Sequence, residues 1–323
     1  MNYKKVVVAG GGVLGSQIAF QAAYCGFDVT IWLRSEGSKG RTQPKLDALK
    51  KSYEDALKLM NSEEGKLANN WCRGLSDVED FDYEKCLEKA ENAYKSIKLE
   101  TDLRKAVEGA DLVIESMAEN KDDKIVFYKK LAPTLDEKTV VVTNSSTLLP
   151  STFAKFTGRP EKYLSLHFAN NIWKQNTAEV MAHDGTDDKY FNELIEFANA
   201  IRMFALPVKK EKNGSLLNSM LVPFLLSAFD LMANDVSDPD SIDKAWTLGT
   251  GSPRGPFQIM DVVGLTTVKN IVEQYQKVPG LISPLLKKML MPYNFKKMLE
   301  ILNKYIAEGK LGKAAGEGFY KYK

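Results

Sequence analysis

The sequence predicts an α/β fold, in which a doubly wound sheet is followed by an all-α C-terminal domain. Three observations support this prediction. Apolar runs of strand length alternate with segments of helical periodicity along the N-terminal part of the 323 residues. A glycine-rich turn joins the first such strand to a helix, and strand-like runs stop near Gly214. The change in pattern predicts a domain boundary near residue 209, with residues 1–208 and 209–323 as the two domains.

The glycine-rich turn is typical of a Rossmann-type dinucleotide site. It follows an apolar strand, Lys5–Ala9, and leads into a small apolar helix, Ser16–Cys25. In this pattern Gly10 permits the tight turn, Gly12 allows close approach of the pyrophosphate, and Gly15 lets the helix pack on the strand. The helix N-terminus then faces the phosphates. The residues predicted to bind the dinucleotide are Gly10, Gly12, Val13, Leu14 and Gly15.

The end of the second strand, Asp28–Leu33, lacks the acidic residue that usually binds the adenosine ribose. Leu33 stands in its place, and Arg34 and Ser35 follow, with Lys39 and Arg41 nearby. An arginine at this point accommodates the 2′-phosphate of NADP. The sequence therefore favours NADP over NAD, with solvated surface charges as the alternative interpretation.

Amphipathic segments and apolar runs give the remaining elements. Leu46–Met60 and Tyr83–Ile97 predict an α-hairpin inserted into the nucleotide domain at about residues 43–98. The later segments predicted to extend the sheet, with one helix among them, are Asp111–Met117, Asp122–Leu131 (helix), Thr139–Thr143, Tyr163–His167, Ala178–Met181 and Met203–Val208. The predicted C-terminal helices are Ser215–Met232, Ser241–Leu248, Pro256–Val263, Thr266–Gln276 and Asn294–Ala307.

Composition limits the class of partner. Lys+Arg of 44 against Asp+Glu of 42 gives a net charge of +2, too weak a field to favour nucleic acid or an anionic membrane. The three cysteines lack metal-ligand spacing, and reduced thiols in the cytoplasm are the simplest interpretation. The apolar stretch Met220–Phe229 is about half the length of a membrane-spanning helix and contains Pro223. We therefore expect a soluble cytoplasmic protein without a metal, acting on a small molecule.

His167 and Glu179 are the candidate acid/base pair. His167 falls at the carboxyl end of a predicted strand, where open α/β sheets bind ligands. Glu179 begins the next strand-like segment, which can fold back beside it. A carboxylate next to an imidazole fixes its tautomer and raises its basicity. The pair therefore suits proton transfer coupled to the interconversion of an alcohol and a ketone by hydride transfer.

Two further groups of polar residues are candidates for ligand contacts. The segment Thr143–Leu148 follows another strand, so its hydroxyls and the Asn144 amide are candidates for the reacting oxygen or the nicotinamide. Capping of a helix near Pro150 is the alternative. Asn218 stands among apolar residues of the predicted long helix, and a buried asparagine there either satisfies a neighbour or faces a substrate.

Taken together, the chain resembles the L-3-hydroxyacyl-CoA dehydrogenase family, including its 3-hydroxybutyryl-CoA members, from Val6 to Tyr322. The features that carry the resemblance are Gly10-Gly11-Gly12-Val13-Leu14-Gly15, Glu115-Ser116-Met117-Ala118-Glu119-Asn120, Asn144-Ser145-Ser146, His167-Phe168 with Glu179, Asn218, Gly255-Pro256-Phe257 and Gly316-Glu317-Gly318-Phe319-Tyr320-Lys321-Tyr322. The resemblance implies interconversion of (S)-3-hydroxyacyl-CoA and 3-ketoacyl-CoA through a nicotinamide cofactor.

The resemblance also implies roles for individual residues. His167 acts as general acid/base with Glu179 as its partner, and Ser146 and Asn218 hold the substrate oxygen. Glu119 and Lys124 line the nicotinamide dinucleotide site. The inserted hairpin receives the coenzyme A portion, and the C-terminal helical domain forms a homodimer.

Departures from the family pattern leave other functions open. The family usually has a proline soon after the histidine, whereas Asn170, Asn171 and Trp173 occur here, and Asn213 replaces another proline. These changes predict a reshaped acyl pocket. One alternative is a dehydrogenase of a free 3-hydroxy acid, similar to the gulonate and carnitine dehydrogenases. Another is a non-catalytic dinucleotide-binding or structural protein.

Overall fold

A computed structural model describes residues 3–67, 70–276 and 293–322. The chain forms two compact units, Met1–Ser215 and Leu216–Lys323. The sequence places the boundary near residue 209, whereas the segment after that residue stays with the first unit. There the Ser151 N–H donates to the Glu211 carboxylate (2.8 Å), and the Lys212 N–H donates to the Met181 sulfur (3.4 Å).

One eight-stranded sheet organises the described part of the first unit. The strands are β1 Lys5–Ala9, β2 Asp28–Trp32, β3 Lys98–Glu100, β4 Leu112–Glu115, β5 Val140–Thr143, β6 Tyr163–Phe168, β7 Thr177–Met181 and β8 Phe204–Val208. Their order is β3-β2-β1-β4-β5-β6-β7-β8. The β6–β7 pair is antiparallel and the other pairs are parallel. The doubly wound sheet predicted from the sequence is confirmed, and β1 and β4 lie at the point where the winding reverses.

The helices of the first unit are α1 Val13–Tyr24, α2 Glu36–Met60, α3 Tyr83–Ser96, α4 Leu103–Val107, α5 Lys121–Leu131 and α6 Asp188–Ala200. The hairpin predicted at about residues 43–98 is present as α2 and α3, but α2 begins at Glu36. Its start is hidden in the sequence because Gly37, Gly40 and Pro44 are poor helix formers. The extra turns bring the beginning of α2 to the end of β2.

The two faces of the sheet pack on separate apolar layers. Because side chains of a strand point alternately to opposite faces, Val6 and Val8 enter one layer and Val7 enters the other. The first layer contains residues of α1, α2, α3 and α6, whereas the second contains residues of α4 and α5. Both layers are continuous hydrophobic clusters, so the central strands are buried on both faces, as expected for a parallel sheet.

A buried polar contact joins the hairpin to α1. The Tyr53 hydroxyl donates to Gln21 Oε1 (2.6 Å), and Gln21 Nε2 donates to the carbonyls of Gly74 (2.8 Å) and Ile201 (3.0 Å). Tyr53 and Gln21 are both fully buried. The amide of Gln21 therefore fixes three segments at once.

Tyr53→Phe is expected to lower the free energy of unfolding by about 1–3 kcal/mol, because it leaves a buried amide oxygen without its donor. Urea denaturation measures this change. Tyr94→Phe is the matched control, since the Tyr94 hydroxyl donates to Asp47 (2.8 Å) at an exposed site, and its effect is expected to stay within about 0.5 kcal/mol. Equal effects of the two substitutions would contradict the importance of the buried contact.

The described part of the second unit is helical, as the sequence predicts. Its helices are α7 Leu216–Ala233, α8 Pro239–Thr250, α9 Pro256–Val263, α10 Leu265–Gln276 and α11 Phe295–Ala307. Two buried carboxylates hold it together. Asp243 accepts hydrogen bonds from the Phe257 and Gln258 N–H groups at the start of α9, and Asp261 accepts them from the Phe319 and Tyr320 N–H groups of the C-terminal segment.

Helix α7 is long and apolar enough to span a membrane when judged by length and composition alone, with a mean hydropathy of 1.7. The sequence predicts no spanning segment, because Pro223 interrupts its most apolar stretch. In the structure Leu225, Leu226 and Phe229 of this helix pack in the hydrophobic cluster of the second unit. Only 28% of the helix is buried, however, so the absence of a membrane span stays a prediction.

Candidate active site

Polar residues cross the sheet at the carboxyl ends of its central strands. Glu115 of β4 is paired with Thr143 of β5, which is paired with Ser165 of β6. His167 lies two residues beyond Ser165, and alternate residues of a strand share a face. The sheet therefore brings these four side chains to one face, next to the point where its winding reverses, which is where doubly wound folds bind ligands.

His167 and Glu179 are directly opposite each other in the antiparallel β6–β7 pair. Side chains at opposed positions project from the same face, with Cβ atoms about 4.5–5.5 Å apart. The sequence predicts that Glu179 lies beside His167, and the register places it there. Glu179 is buried, whereas His167 is half-buried.

The surroundings of His167 favour its neutral form. Burial lowers the pKa of the imidazole below its ordinary value, and the nearby carboxylates of Glu179 and Glu119 oppose this shift without reversing it. At neutral pH this shift favours the uncharged ring. A neutral imidazole beside a carboxylate is able to accept a proton and to be stabilised once it holds one.

Glu119 organises the turn that follows β5. Its carboxylate accepts hydrogen bonds from the N–H groups of Ser146 (3.0 Å) and Thr147 (3.1 Å), from the Thr147 hydroxyl (3.1 Å) and from the Ser145 hydroxyl. Lys124 Nζ lies 3.3 Å from the same carboxylate. Burial raises the pKa of Glu119, but the Ser145 hydroxyl, Lys124 and Thr147 outweigh it and hold that pKa below its usual range.

Ser146 is half-buried on this turn, and among the described residues its hydroxyl makes no hydrogen bond. It is thus available to a ligand oxygen, as the resemblance implies. Asn144 is more constrained than the sequence suggests. Its Oδ1 accepts from the Phe168 N–H (3.0 Å) and its Nδ2 donates to Ser116 Oγ (3.3 Å), so it holds the ends of three strands together. The other amide proton of Asn144 makes no hydrogen bond among the described residues, and its contact with the nicotinamide stays a prediction.

Lys124 is almost fully buried, with 1% of its side chain exposed. Its ammonium group lies 2.6 Å from Glu115 and 3.3 Å from Glu119. The sequence predicts Lys124 as a residue that lines the cofactor site. In the structure its charge faces the two carboxylates, and its role at the cofactor site stays a prediction.

The glycine-rich turn fits a dinucleotide. Gly10 has φ +124°, and a Cβ added there would lie 2.5 Å from the Ser116 carbonyl oxygen. A Cβ on Gly15 would lie 2.1 Å from the Gly10 oxygen, so α1 packs too tightly on the turn for a side chain. At Gly12, by contrast, an added Cβ meets no described atom within 4 Å. The backbone at Gly12 is therefore open to a pyrophosphate, while Val13 and Leu14 begin the helix behind it.

A cavity of about 450 Å³ lies at this turn. Three glycines form part of its lining, and basic and hydroxyl side chains form another part. The polar members from the end of β2 and the start of α2 are Arg34, Ser38, Arg41, Thr42 and Lys45. Leu33, which replaces the expected acid, is buried against the turn. The cavity is thus a site for a dinucleotide with added positive charge at one end.

Ser38 and Lys45 line this site but are absent from the sequence prediction, which names Leu33, Arg34 and Ser35 and notes Arg41 only as a nearby basic residue. Ser38, Arg41 and Lys45 recur at helical spacing, and residues three and four apart share one face of a helix. That signal is usable only once α2 is known to begin at Glu36. Arg41 Nη2 donates to Ser38 Oγ (2.8 Å), and Ser38 Oγ lies 3.1 Å from Ser35 Oγ.

Asn218 differs from its prediction. The sequence predicts a buried asparagine, but in the structure Asn218 is an exposed residue near the start of α7 in the second unit. The nearby Leu217 and Met220 are exposed as well. Because apolar residues occur on every side of α7, their pattern does not show which side packs inward.

The segment after His167 packs into the core of the nucleotide domain. Asn171 turns the chain with φ +59°, and Ile172 is fully buried. The Trp173 ring packs on Tyr53 of α2 with ring centroids 5.2 Å apart, and its carbonyl accepts from the Gly74 N–H (3.1 Å). Ile172 and Trp173 thus anchor the strand end, and the reshaped acyl pocket stays a prediction.

A glycine cradle for a dinucleotide, with a histidine opposite a glutamate at the adjoining strand ends, is typical of nicotinamide-dependent oxidoreductases. Comparison with known families agrees. The models described as 3-hydroxyacyl-CoA dehydrogenase, NAD binding domain and C-terminal domain match residues 5–211 and 214–322. The chain therefore belongs to the 3-hydroxyacyl-CoA dehydrogenase family, which confirms the resemblance seen in the sequence.

Individual relatives extend over the full chain. The mitochondrial hydroxyacyl-coenzyme A dehydrogenase of Homo sapiens is 32% identical over 99% of this chain and 91% of its own length. A probable 3-hydroxybutyryl-CoA dehydrogenase of Bacillus subtilis is 28% identical over 100% of this chain and 98% of its own. Among solved structures, a diketoreductase described as acting on dicarbonyl compounds is 40% identical, with a TM-score of 0.82 and 100% coverage of both chains.

Proposed function

We propose that the protein interconverts (S)-3-hydroxyacyl-CoA and 3-ketoacyl-CoA by hydride transfer. The observation that carries this proposal is the placement of His167 opposite Glu179 at the sheet edge where the dinucleotide binds. The neutral state of His167 and the available hydroxyl of Ser146 support it further. The family supplies the class of reaction, and these residues supply the proton transfer that the reaction needs.

In the oxidation direction, His167 accepts the proton of the substrate hydroxyl, and the Ser146 hydroxyl donates a hydrogen bond to the same oxygen. Glu179 stabilises the imidazolium that forms, because an opposed carboxylate favours the charged ring. Reduction reverses these proton movements. A bound nicotinamide supplies the hydride acceptor or donor. The glycine-rich turn fits the dinucleotide, because Gly10 and Gly15 allow close packing of the backbone and the turn is open at Gly12.

We also propose that NADP is preferred to NAD. Arg34, Arg41 and Lys45 line the cavity at the end of β2, and the acid that would bind a ribose 2′-hydroxyl is replaced by Leu33. Arginine suits a phosphate because its planar donors bind two oxygens at once. The hydroxyl of Ser38, already bonded to Arg41, is a further donor to such a group.

A reductase of dicarbonyl compounds without coenzyme A is the second candidate. It is favoured by the 40% identity to the diketoreductase, against 32% to the human coenzyme A enzyme. The same acid/base pair would serve, since the reaction at the carbonyl is identical. The candidates differ only in whether the substrate has a coenzyme A portion, which we propose binds at the hairpin of α2 and α3. A free 3-hydroxy acid remains a further alternative.

Parallel assays of one preparation test these alternatives. Acetoacetyl-CoA, acetoacetate and a diketo ester without coenzyme A are each reduced with NADH and with NADPH. We expect acetoacetyl-CoA to give a kcat/KM at least about tenfold above the other two, because binding energy from a remote group of the substrate is used in the transition state. Turnover of the diketo ester without turnover of acetoacetyl-CoA would reject the first candidate for the second. Cofactor binding with no turnover would favour the non-catalytic alternative.

We propose a homodimer formed through the second unit and a cytoplasmic location. Exposed apolar side chains support the dimer, because contiguous apolar surface marks an interaction site. Met220 is 67% and Leu248 84% exposed, and a cavity of about 560 Å³ is lined by Phe224, Leu231 and Trp246. The near balance of charges and the unpaired cysteines are consistent with the location.

A further inference from the structure

Glu115 is a fully buried carboxylate that the proposed mechanism does not use. It is the last residue of β4. Its oxygens accept hydrogen bonds from four donors: the Met117 N–H (2.7 Å), the Lys124 ammonium group (2.6 Å), the Tyr128 hydroxyl (3.0 Å) and the Thr143 hydroxyl (2.8 Å). A carboxylate taken wholly out of water needs such a set of partners.

The first connection from Glu115 to the site runs through Lys124. The ammonium group lies between Glu115 and Glu119, at 2.6 Å and 3.3 Å. Glu119 in turn accepts the N–H groups of Ser146 and Thr147. One buried cation is thus shared by two carboxylates, of which the second holds the turn in place.

The second connection runs through Thr143. Its hydroxyl donates to Glu115 (2.8 Å) and accepts from the Ser145 N–H (3.1 Å). Ser145 follows at the start of the same turn, and its own hydroxyl donates to Glu119. The turn of residues 145–147 is therefore tied to Glu115 from both sides.

We propose that Glu115 is a positioning residue for the reaction, which fixes Glu119 and the turn bearing Ser146 beside His167 through its contacts with Lys124 and Thr143. This proposal rests on the proposed function for its effect on rate. Its electrostatic effect on His167 does not depend on turnover.

The charges around His167 set the direction of that effect. The carboxylates that face it are Glu179 from β7 and Glu119 from the segment after β4, and both raise its pKa against the effect of burial. Lys124 on α5 is shared between Glu119 and Glu115. If Glu115 becomes neutral, the charge of Lys124 is offset by Glu119 alone, so Glu119 acts less on the imidazole. The pKa of His167 is then expected to fall further.

Glu115→Gln tests the proposal, because glutamine keeps the shape and removes the charge. The chain has two histidines, so NMR titration of labelled histidine gives two sets of ring signals, which His183→Asn assigns. We expect the pKa of His167 to fall by about 0.5 units in Glu115→Gln. We also expect kcat to fall about tenfold, because a small displacement of a positioned group slows the chemical step.

Two further variants separate a positioning role from a merely structural one. Tyr128→Phe removes a donor to the same carboxylate without changing any charge, so its His167 pKa is expected to match the wild type. Thr143→Val cuts only the second connection and is expected to lower kcat about tenfold while leaving the His167 pKa unchanged. If Glu115→Gln does not fold, Thr143→Val decides the question, and wild-type kcat in that variant would overturn the proposal.

A folded Glu115→Gln with a wild-type His167 pKa and kcat would overturn it as well. Failure of the proposed function would give a different experimental result. In that case the wild type turns over none of the substrates, yet the NMR titration still reports whether Glu115 sets the pKa of His167.

Discussion

His167→Gln is expected to lower kcat by about 10²–10⁴-fold, the range typical for loss of a general acid/base. Glutamine is close to histidine in size and retains hydrogen-bonding groups, but it cannot take up the substrate proton. Because the dinucleotide contacts lie at Gly10–Gly15 and at the end of β2, cofactor affinity is expected to stay unchanged. Stopped-flow turnover and fluorescence titration with the reduced cofactor measure the two quantities separately.

His183→Gln is the matched control. His183 Nε2 lies 3.0 Å from the Pro160 carbonyl oxygen, and its Nδ1 accepts from the Gly185 N–H (3.0 Å), so its ring is used in a local turn. Its replacement is expected to leave kcat within about twofold, as is usual for a surface substitution. Comparable turnover in His167→Gln and His183→Gln would reject the proposed mechanism.

The pH dependence of the wild-type rate is expected to have opposite directions for oxidation and reduction. Oxidation needs neutral His167, so its rate is full above the pKa of that group and is lost as the pH falls through it. Because burial lowers this pKa, the acid limb is expected below pH 6.5, the ordinary value for histidine. Reduction needs the imidazolium and is expected to quicken as the pH falls through the same value. An acid limb above 6.5 for oxidation would contradict the assignment.

The sequence predicts the acid/base pair because strand pairing follows simple rules. His167 ends one apolar run and Glu179 begins the next, so a chain that folds back between them brings the two residues together, while the antiparallel register that opposes them comes from the structure. The glycine turn is predicted for the same reason, since its spacing is dictated by local backbone geometry. In both cases the information lies within a few residues of sequence.

The Glu115 network and the basic face of α2 needed the structure. Glu115, Lys124 and Thr143 are separated along the chain and meet only through strand order and the packing of α5. Helix α2 begins with two glycines and a proline, so local propensity conceals the face that bears Ser38, Arg41 and Lys45. The burial of Asn218 is predicted wrongly for a third reason. Apolar residues occur on every side of α7, so the sequence does not show which side of this helix packs inward.

Arg34→Asp is expected to reverse the cofactor preference from NADPH to NADH. The substitution removes a donor to the 2′-phosphate and adds a carboxylate that repels it, while giving the ribose 2′-hydroxyl of NADH an acceptor. Loss of a hydrogen bond to a charged group is worth about 1.5–3 kcal/mol, which corresponds to a change of roughly 10- to 100-fold in kcat/KM for NADPH. Steady-state kinetics with both cofactors at one substrate concentration measure the ratio.

Arg41→Ala and Lys39→Ala test whether the cofactor preference depends on residues that line the cavity. Arg41 lines it beside Ser38, so its loss is expected to weaken NADPH about tenfold without improving NADH, because no new acceptor for the 2′-hydroxyl is introduced. Lys39 lies on the same helix but pairs with Glu36 (3.0 Å) and is not part of the cavity lining, so both cofactors should be unaffected by its removal. If the wild type prefers NADH, or if all three variants leave the ratio unchanged, the basic residues at the end of β2 are solvated surface charges rather than a phosphate site.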